Sequence, residues 1–220
     1  ARRAARGTLF FHLLLIIPLA PQIRILQDDP SYASMHSIFE EHCNMIGIHK
    51  DDPIMYYTAK VKAGMDMKKQ AEMLNLKMEI ADEIASKMIP ETILTDFMTR
   101  NMKSYTDLWM IRKQFTTQMA SVTFLTYIIS IGHRFPTKWF ISLQTGNVWT
   151  LDMLPVFSPQ TTTFSNSEPV PFRFTPNIQH FITPTGVEGV FMSSPMSITR
   201  CLGIFIRDEL VSWFTAGMKP

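Results

Sequence analysis

Residues 127–154 read YIISIGHRFPTKWFISLQTGNVWTLDML, and within this stretch a helical chain gives way to a β-hairpin. The apolar spacing upstream predicts a long helix over residues 106–131, ended by Gly132. Its second half is apolar all round, which is typical of a helix that passes from the surface into the centre of a domain. Residues 139–143 and 148–151 predict two strands on either side of a Thr-Gly-Asn turn. The apolar positions of the first half of the helix are Leu108, Ile111, Phe115, Met119 and Val122.

Short elements are predicted before this helix. Residues 16–20 indicate a buried strand ended by proline, and residues 23–26 indicate a second extended segment. Asp29 is predicted to cap a helix that has Pro30 in its first turn and ends at Gly47. The buried positions expected on that helix are Tyr32, Met35, Ile38, Phe39 and Met45.

The clearest apolar stripe lies in residues 65–88, after a repeated helix-start signal at residues 51–53. Steps of four and three place its members on one helical face, and such a face indicates core packing rather than a cofactor site. Glu83 and Lys87 are spaced as a favourable exposed pair, and Pro90 is expected to stop the helix. The stripe consists of Leu74, Met78, Ala81, Ala85 and Met88.

The part of the chain after the hairpin is predicted to be a loop followed by helices. Residues 155–171 are rich in Pro, Ser and Thr, and a loop of that length is either functional or mobile. Helical character returns near Pro176 and continues to the last helix, over residues 205–214. The tryptophans occupy apolar positions and are expected in the core: Trp109, Trp139, Trp149 and Trp213.

Composition argues against several classes of function. The 21 basic and 19 acidic residues are mixed along the chain, and the one basic cluster is Arg2, Arg3 and Arg6. Direct sequence-specific nucleic-acid binding is therefore not expected, because it needs a concentrated basic patch. Cys43 and Cys201 lie far apart, so they suggest two ordinary buried thiols in a reducing compartment rather than a disulfide framework or a zinc site.

An apolar run over residues 9–17 follows the arginines and looks like a signal peptide. It is too short to span a bilayer, which takes about 20 residues. We therefore favour a strand here and expect no membrane association. A secreted or membrane-attached protein stays as an alternative.

One group of metal-ligand residue types occurs in the first predicted helix. His36 and Glu40 share a helical face, but His42 points elsewhere, so a solvated face is a better interpretation than a metal site. Glu41 and Cys43 complete the group. Spacing alone supports no Ser-His-Asp or Cys-His arrangement.

Several segments together resemble the phosphatidylinositol 3-kinase-related kinases. Residues 127–136 are similar to the catalytic loop of that family, and residues 146–154 to its metal-binding segment. Residues 171–175, together with residues 185–189, resemble the segment that follows, and residues 207–213 the last helix of the domain. Within the family, residues 169–181, the Gly-Asn-Val-Trp motif at 146–149 and residues 17–24 are most similar to the TRRAP branch, its fungal members in particular.

The resemblance implies a protein-kinase-like α+β fold of the phosphatidylinositol 3/4-kinase type. Residues 1–29 would be the last strands of the N-terminal lobe and the hinge, and residues 30–220 the helical C-terminal lobe of a pseudokinase domain. The glycine-rich loop and the strand lysine would precede Ala1. No FATC tail is visible after Trp213, and the link around residues 202–204 is shorter than in the family.

The resemblance also places three degenerate positions in the catalytic site. His133 stands where active relatives have the proton-accepting Asp, Lys138 replaces the metal-binding Asn, and Asp152 is the surviving acid of the metal segment. Phe135 replaces the loop histidine. Because an ammonium group offers only donors, Lys138 cannot coordinate magnesium. We expect no catalytic residue, no cofactor and no bound metal.

What the resemblance implies is a scaffold rather than an enzyme. Its partners would be subunits of SAGA-type histone acetyltransferase complexes and transcription activators, in the nucleus. An active but divergent protein or lipid kinase is the main alternative.

Overall fold

The computed structural model describes residues 15–20, 23–27, 29–64, 70–128, 131, 134–151 and 173–205. Its strands are β1 (Ile16–Ala20), β2 (Ile23–Leu26), β3 (Tyr32–Ser34), β4 (Trp139–Ser142) and β5 (Val148–Thr150). Its helices are α1 (Met35–Ile46), α2 (Asp52–Ala63), α3 (Gln70–Lys87), α4 (Ile93–Asn101), α5 (Tyr105–Ile128), α6 (Pro176–Ile182) and α7 (Met192–Phe205). The predicted α+β class is confirmed.

The strands of the described residues form two small antiparallel sheets. One is the β1–β2 hairpin, and the other has the strand order β3-β4-β5. The predicted hairpin of β4 and β5 is confirmed, with Trp139 opposite Thr150 and Phe140 opposite Trp149. The pairing of β3 with β4 was not predicted, and it joins strands more than a hundred residues apart in sequence.

Helix α5 is the centre of the fold. Its predicted apolar face is buried, and Phe115 packs edge to face against Phe181 of α6 with ring centroids 5.1 Å apart. Buried residues of α4 and β4, such as Met98 and Ile141, belong to the same core. As predicted, α5 passes from a partly exposed N-terminal half into the core, where residues 118–123 and Thr126 are buried; its last two described residues, Tyr127 and Ile128, are exposed.

The first helix starts later than predicted. Asp29 does not cap it: Asp29 Oδ1 accepts a hydrogen bond from the backbone N–H of Ser31 in a turn before β3. The cap is Ser34, whose Oγ accepts from the N–H of Ser37 at 2.9 Å. Gly47 ends the helix in the left-handed conformation, as predicted, but Met45 is exposed rather than buried.

Three burial predictions fail elsewhere. Strand β1 forms as expected but is exposed along its length. Four members of the stripe on α3 are exposed (Leu74, Met78, Ala81 and Ala85), while Ile80 on another face is buried. Trp109 is also exposed, whereas Trp139 and Trp149 are buried as predicted; Trp213 lies outside the described residues.

Other elements follow the sequence prediction or add to it. Helix α2 begins at the predicted Asp-Pro signal, and Lys87 near the end of α3 pairs with Glu83 at 2.6 Å. Helix α4 was not predicted. The 155–171 loop and the 206–214 part of the last helix lie outside the described residues. No helix in the described ranges has the length and apolar character needed to cross a membrane.

Candidate functional site

The β3–β4–β5 sheet presents two different faces. Alternation along β4 and β5 directs Trp139, Ile141 and Val148 into the core, where each is buried. The other face carries Phe140 and Trp149, which are cross-strand partners stacked with ring centroids 4.4 Å apart and planes within 8°. Tyr32 of β3 adds an edge-on contact to Trp149 at 6.1 Å. We call this face, formed by Tyr32, Phe140 and Trp149, the aromatic floor.

A cavity of about 240 Å³ lies above this aromatic floor. It is also lined by Leu26 at the end of β2 and by Gln27 and Asp29 of the connector that follows. Burial and the nearby Asp29 carboxylate raise the pKa of the Tyr32 hydroxyl, and a hydrogen bond with Asn147 acts in the opposite direction. The cavity is thus small, largely aromatic and bordered by one carboxylate.

The turn of the β4–β5 hairpin is fixed against α5. Gly146 has a φ of 74° and packs on the backbone of Ile111 so closely that a Cβ at this position would lie 2.5 Å from the Ile111 carbonyl oxygen. Gln114 of α5 donates a hydrogen bond from Nε2 to Asn147 Oδ1 at 3.1 Å. These contacts set the position of both strands and of the residues that flank them.

Lys138 lies at the start of that hairpin, as the last residue of a 3₁₀ turn over Pro136–Lys138. Its carbonyl oxygen accepts a hydrogen bond from the N–H of Leu151 at 2.9 Å. The ladder therefore continues one pair beyond Trp139 and Thr150, and it places Lys138 opposite the residue that precedes Asp152 in sequence. The Lys138 Nζ lies 6.0 Å from the ring centroid of Phe135.

The remaining predicted site positions are not placed. His133 and Asp152 lie outside the described residues, so the structure brings no pair of the three positions together. Arg134, which follows His133, is 2% exposed, and its carbonyl oxygen accepts a hydrogen bond from Arg173 Nη1 at 2.9 Å. This link between the loop before β4 and the segment before α6 was not predicted, because no local sequence signal reports a contact between such distant residues.

The polar cluster on α1 is built from ion pairs. Glu40 Oε1 is 2.7 Å from Lys50 Nζ and 3.4 Å from His36 Nε2, and Glu41 pairs with Arg100. Lys50 lowers the pKa of Glu40 through its hydrogen bond. Among the described residues, no group of three or more His, Cys, Asp or Glu side chains is arranged to hold a metal ion.

Burial changes the titration of two neighbours in α1. It lowers the pKa of His42, and the Arg100 guanidinium adds to this effect while Asp96 opposes it. It also raises the pKa of the Cys43 thiol, which is buried as the sequence indicated. Both groups therefore favour their neutral forms.

Comparison with known proteins agrees with this architecture. The chain is 35% identical to the SAGA complex/NuA4 acetyltransferase complex subunit TRA1 of Saccharomyces cerevisiae, over 98% of the chain and 6% of that protein. The Schizosaccharomyces pombe subunit Tra1 is also 35% identical, with 97% and 7% covered. The human transformation/transcription domain-associated protein is 30% identical, with 96% and 6% covered. The chain thus spans less than a tenth of the length of these relatives.

The family model that matches the sequence is phosphatidylinositol 3- and 4-kinase, over residues 2–214. That range includes the aromatic floor, the hairpin and every helix of the described structure. The chain therefore belongs to the phosphatidylinositol 3- and 4-kinase family.

Proposed function

We propose that this chain is a catalytically inactive kinase-like domain in a large scaffold subunit of a nuclear histone acetyltransferase coactivator complex. The observation that supports the scaffold role is 35% identity, along almost the whole chain, to subunits of the SAGA and NuA4 acetyltransferase complexes in two yeasts. The domain would link DNA-bound transcription activators to chromatin modification by holding partners in place.

The case for inactivity rests on Lys138. Magnesium takes oxygen ligands, and it holds and neutralises the phosphates during phosphoryl transfer. The hydrogen bond from the Leu151 N–H keeps the Lys138 backbone beside the strand that leads into Asp152. An ammonium side chain attached there offers donors only. It brings positive charge toward the position where a divalent cation would be needed.

The electrostatic penalty is large. Two unit positive charges about 4 Å apart repel by about 4 kcal/mol at an effective dielectric constant near 20, and a divalent ion doubles that value. With Asp152 as the one carboxylate in the metal segment, little negative charge is available to offset this repulsion.

Phosphotransferase activity is tested on the purified full-length protein. We expect labelled phosphate from ATP to reach protein and phosphoinositide substrates only at background level, and equally in the wild type and in Asp152→Ala. Activity that disappears in Asp152→Ala would establish a divergent kinase instead and sink the proposal of inactivity.

Nucleotide binding is tested separately by thermal shift. We expect ATP and magnesium to give no shift beyond error, whereas a ligand at 100 times its dissociation constant would stabilise the fold by about 2.7 kcal/mol. Lys138→Asn should gain magnesium-dependent stabilisation, because it replaces a repelling charge by an oxygen ligand. Lys103→Asn is the matched control, since Lys103 lies at an exposed position between α4 and α5. A magnesium-dependent shift in the wild type would contradict the role given to Lys138.

The coactivator role is tested by isolating the tagged full-length protein from its own cells. Histone acetyltransferase activity should co-purify, peptides from transcription activators should bind the assembly, and fluorescence should be nuclear. Isolation without acetyltransferase activity, with the protein at a membrane or in the medium, would favour the secreted or membrane-attached alternative.

A further inference from the structure

A groove of about 900 Å³ lies between the turn of the β4–β5 hairpin and the N-terminal half of α5. We call it the turn groove. Among the described residues, none lines both this groove and the smaller cavity above the aromatic floor. The residues that line the turn groove include Asn101, Lys103, Asp107, Met110, Leu143 and Gln144.

The shape of the turn groove is fixed from within the domain. The hairpin turn is held on α5 by the close approach of Gly146 to the helix backbone and by the hydrogen bond from Gln114 to Asn147. At the start of α5, the Ser104 hydroxyl donates to Asp107 Oδ2 at 2.8 Å and accepts from the Asp107 N–H. The groove is therefore formed before a ligand arrives, which lowers the entropic cost of binding.

The turn groove is open to solvent. Met110 is 59% exposed, and Lys103, Gln144 and Thr145 are exposed as well. A site for a small molecule usually encloses most of its ligand. An open groove of this volume is better suited to a stretch of polypeptide that enters at one end and leaves at the other.

Apolar contacts are available in the groove. Met102 and Leu143 pack against the domain core but remain partly accessible, and Met110 is exposed. Methionine side chains adapt their shape to a partner. These three residues can therefore receive an apolar side chain of a bound peptide.

The amide side chains of the groove suit a peptide backbone. Asn101 donates from Nδ2 to the Phe97 carbonyl oxygen and Gln114 donates from Nε2 to Asn147, which leaves the oxygen of each amide to accept from a ligand. The exposed Gln144 amide can both donate and accept. An extended chain has unpaired peptide groups that need such partners, whereas a helix pairs its own.

The charge that is available to a ligand is positive. Lys103 forms no ion pair with any of the described residues. Asp107, in contrast, accepts the Ser104 hydroxyl and lies in the first turn of α5, where the helix dipole favours an acidic side chain. A carboxylate of a ligand would therefore meet an unpaired ammonium group.

We propose that the turn groove binds an extended acidic peptide segment of a separate protein. Its peptide groups pair with the groove amides, an apolar side chain packs on Met102, Met110 and Leu143, and a carboxylate lies near Lys103. Because side chains alternate along an extended chain, acidic and apolar residues should alternate in the segment. The proposal goes beyond the scaffold role and does not depend on the loss of catalysis.

Fluorescence polarisation with the purified full-length protein tests the proposal. Three pools of labelled peptides of about ten residues, which extend over about 33 Å, alternate apolar positions with variable ones. The variable positions are Asp or Glu in the acidic pool, Lys or Arg in the basic pool, and Ser or Thr in the neutral pool. We expect the wild type to bind the acidic pool about fivefold more tightly than the basic pool, with the neutral pool between them.

Charge reversal in the groove should reverse that preference. Lys103→Glu should bind the basic pool about fivefold more tightly than the acidic pool, because the new carboxylate repels acidic residues and attracts basic ones. Lys113→Glu is the matched control, since Lys113 is an exposed lysine of α5 that does not line the groove. It should keep the wild-type preference.

Recognition of the peptide backbone is tested by Gln144→Met. Methionine keeps the length of the side chain but removes the amide, so an extended acidic peptide should bind about threefold to tenfold more weakly. A helical ligand would bind this variant as tightly as the wild type, because its peptide groups pair with each other. Unchanged affinity in Gln144→Met would therefore overturn the assignment of an extended segment.

Three further outcomes would also overturn the proposal. Failure of every pool to bind the wild type would mean that the groove is closed in the intact protein, by its own chain or by a second copy. An unchanged preference in Lys103→Glu would place the binding elsewhere on the protein. A reversal in Lys113→Glu as large as that in Lys103→Glu would show a general effect of net charge rather than a site.

Discussion

Replacing Gly146 by alanine should weaken the fold more than replacing Gly47, although both glycines have a φ of 74°. A new Cβ at Gly47 meets no atom within 4 Å, whereas at Gly146 it lies 2.5 Å from the Ile111 carbonyl oxygen. The comparison therefore separates backbone strain, which both variants share, from the clash of the hairpin turn with α5.

The expected magnitudes follow from these two terms. A left-handed backbone conformation destabilises a folded alanine by about 1–2 kcal/mol relative to glycine. Alanine also reduces the conformational entropy of the unfolded chain, which stabilises the folded state by about 0.4–1 kcal/mol. Gly47→Ala should therefore lower the free energy of unfolding by about 1 kcal/mol. Overpacking adds about 1–3 kcal/mol at Gly146. The difference between the variants should be about 2 kcal/mol, or about 0.8 M in the urea midpoint for an m-value of about 2.5 kcal/mol/M.

Urea unfolding followed by tryptophan fluorescence is a suitable assay, since Trp139 and Trp149 are buried in the hairpin itself. The matched variant is Gly47→Ala. Equal midpoints for the two variants would refute the reasoning, because they would mean that the turn does not lie against the Ile111 backbone.

Three further predictions concern the core, a helix cap and pH. Phe115→Ala should cost about 3–5 kcal/mol in unfolding free energy, because the side chain is fully buried against Phe181; a loss below 1 kcal/mol in urea unfolding would contradict this packing. Ser34→Ala should lower the free energy of urea unfolding by about 1 kcal/mol through loss of the α1 cap, while Ser86→Ala, at an exposed position of α3, should change it little. Burial lowers the pKa of His42 in the folded state, so the unfolded chain binds a proton more readily than the folded chain. The free energy of unfolding should therefore be highest above the unfolded-state pKa of about 6.5 and fall as the pH decreases below that value. Urea midpoints at pH 7.5 and 5.5 should therefore converge in His42→Gln, and an unchanged pH dependence in that variant would rule His42 out as the cause.

Local periodicity correctly predicted which face of the central helix α5 is buried. The apolar face of α5 is buried as its spacing indicates, since neighbouring elements of the same chain cover it. The stripe on α3 has an equally clear period but is exposed. Periodicity reports that a face is suited to burial; it does not report which surface buries it.

Competition between local signals explains the misplaced start of α1. Asp29 and Pro30 have the chemistry of a helix start, yet they equally suit a turn, and the Asp29 carboxylate satisfies the Ser31 N–H there. Strand β3, which lies between this turn and α1, has three residues and is held in place by its pairing with β4. No local pattern of that length predicts such a strand.

The candidate site was predicted in part. Strand periodicity predicted the hairpin that carries Lys138, and the resemblance to the kinase family identified that position as the one that holds the metal-binding Asn in active relatives. The register adds that Lys138 faces Leu151, and the long-range contact between Arg173 and the Arg134 carbonyl could not have been predicted from either segment alone. The roles of His133 and Asp152 stay predictions.

The pairing of β3 with β4 also sets an order for folding. Roughly a hundred residues separate the two strands, and closing a loop of that length costs about 4 kcal/mol of chain entropy before any contact across it forms. The helices between them are made of local contacts and can form while that loop is open. The three-stranded sheet is then a late step, which a ribosome-bound chain completes only after β5 has emerged. Substitutions in β3 should accordingly leave early helix formation unchanged and slow the final closure.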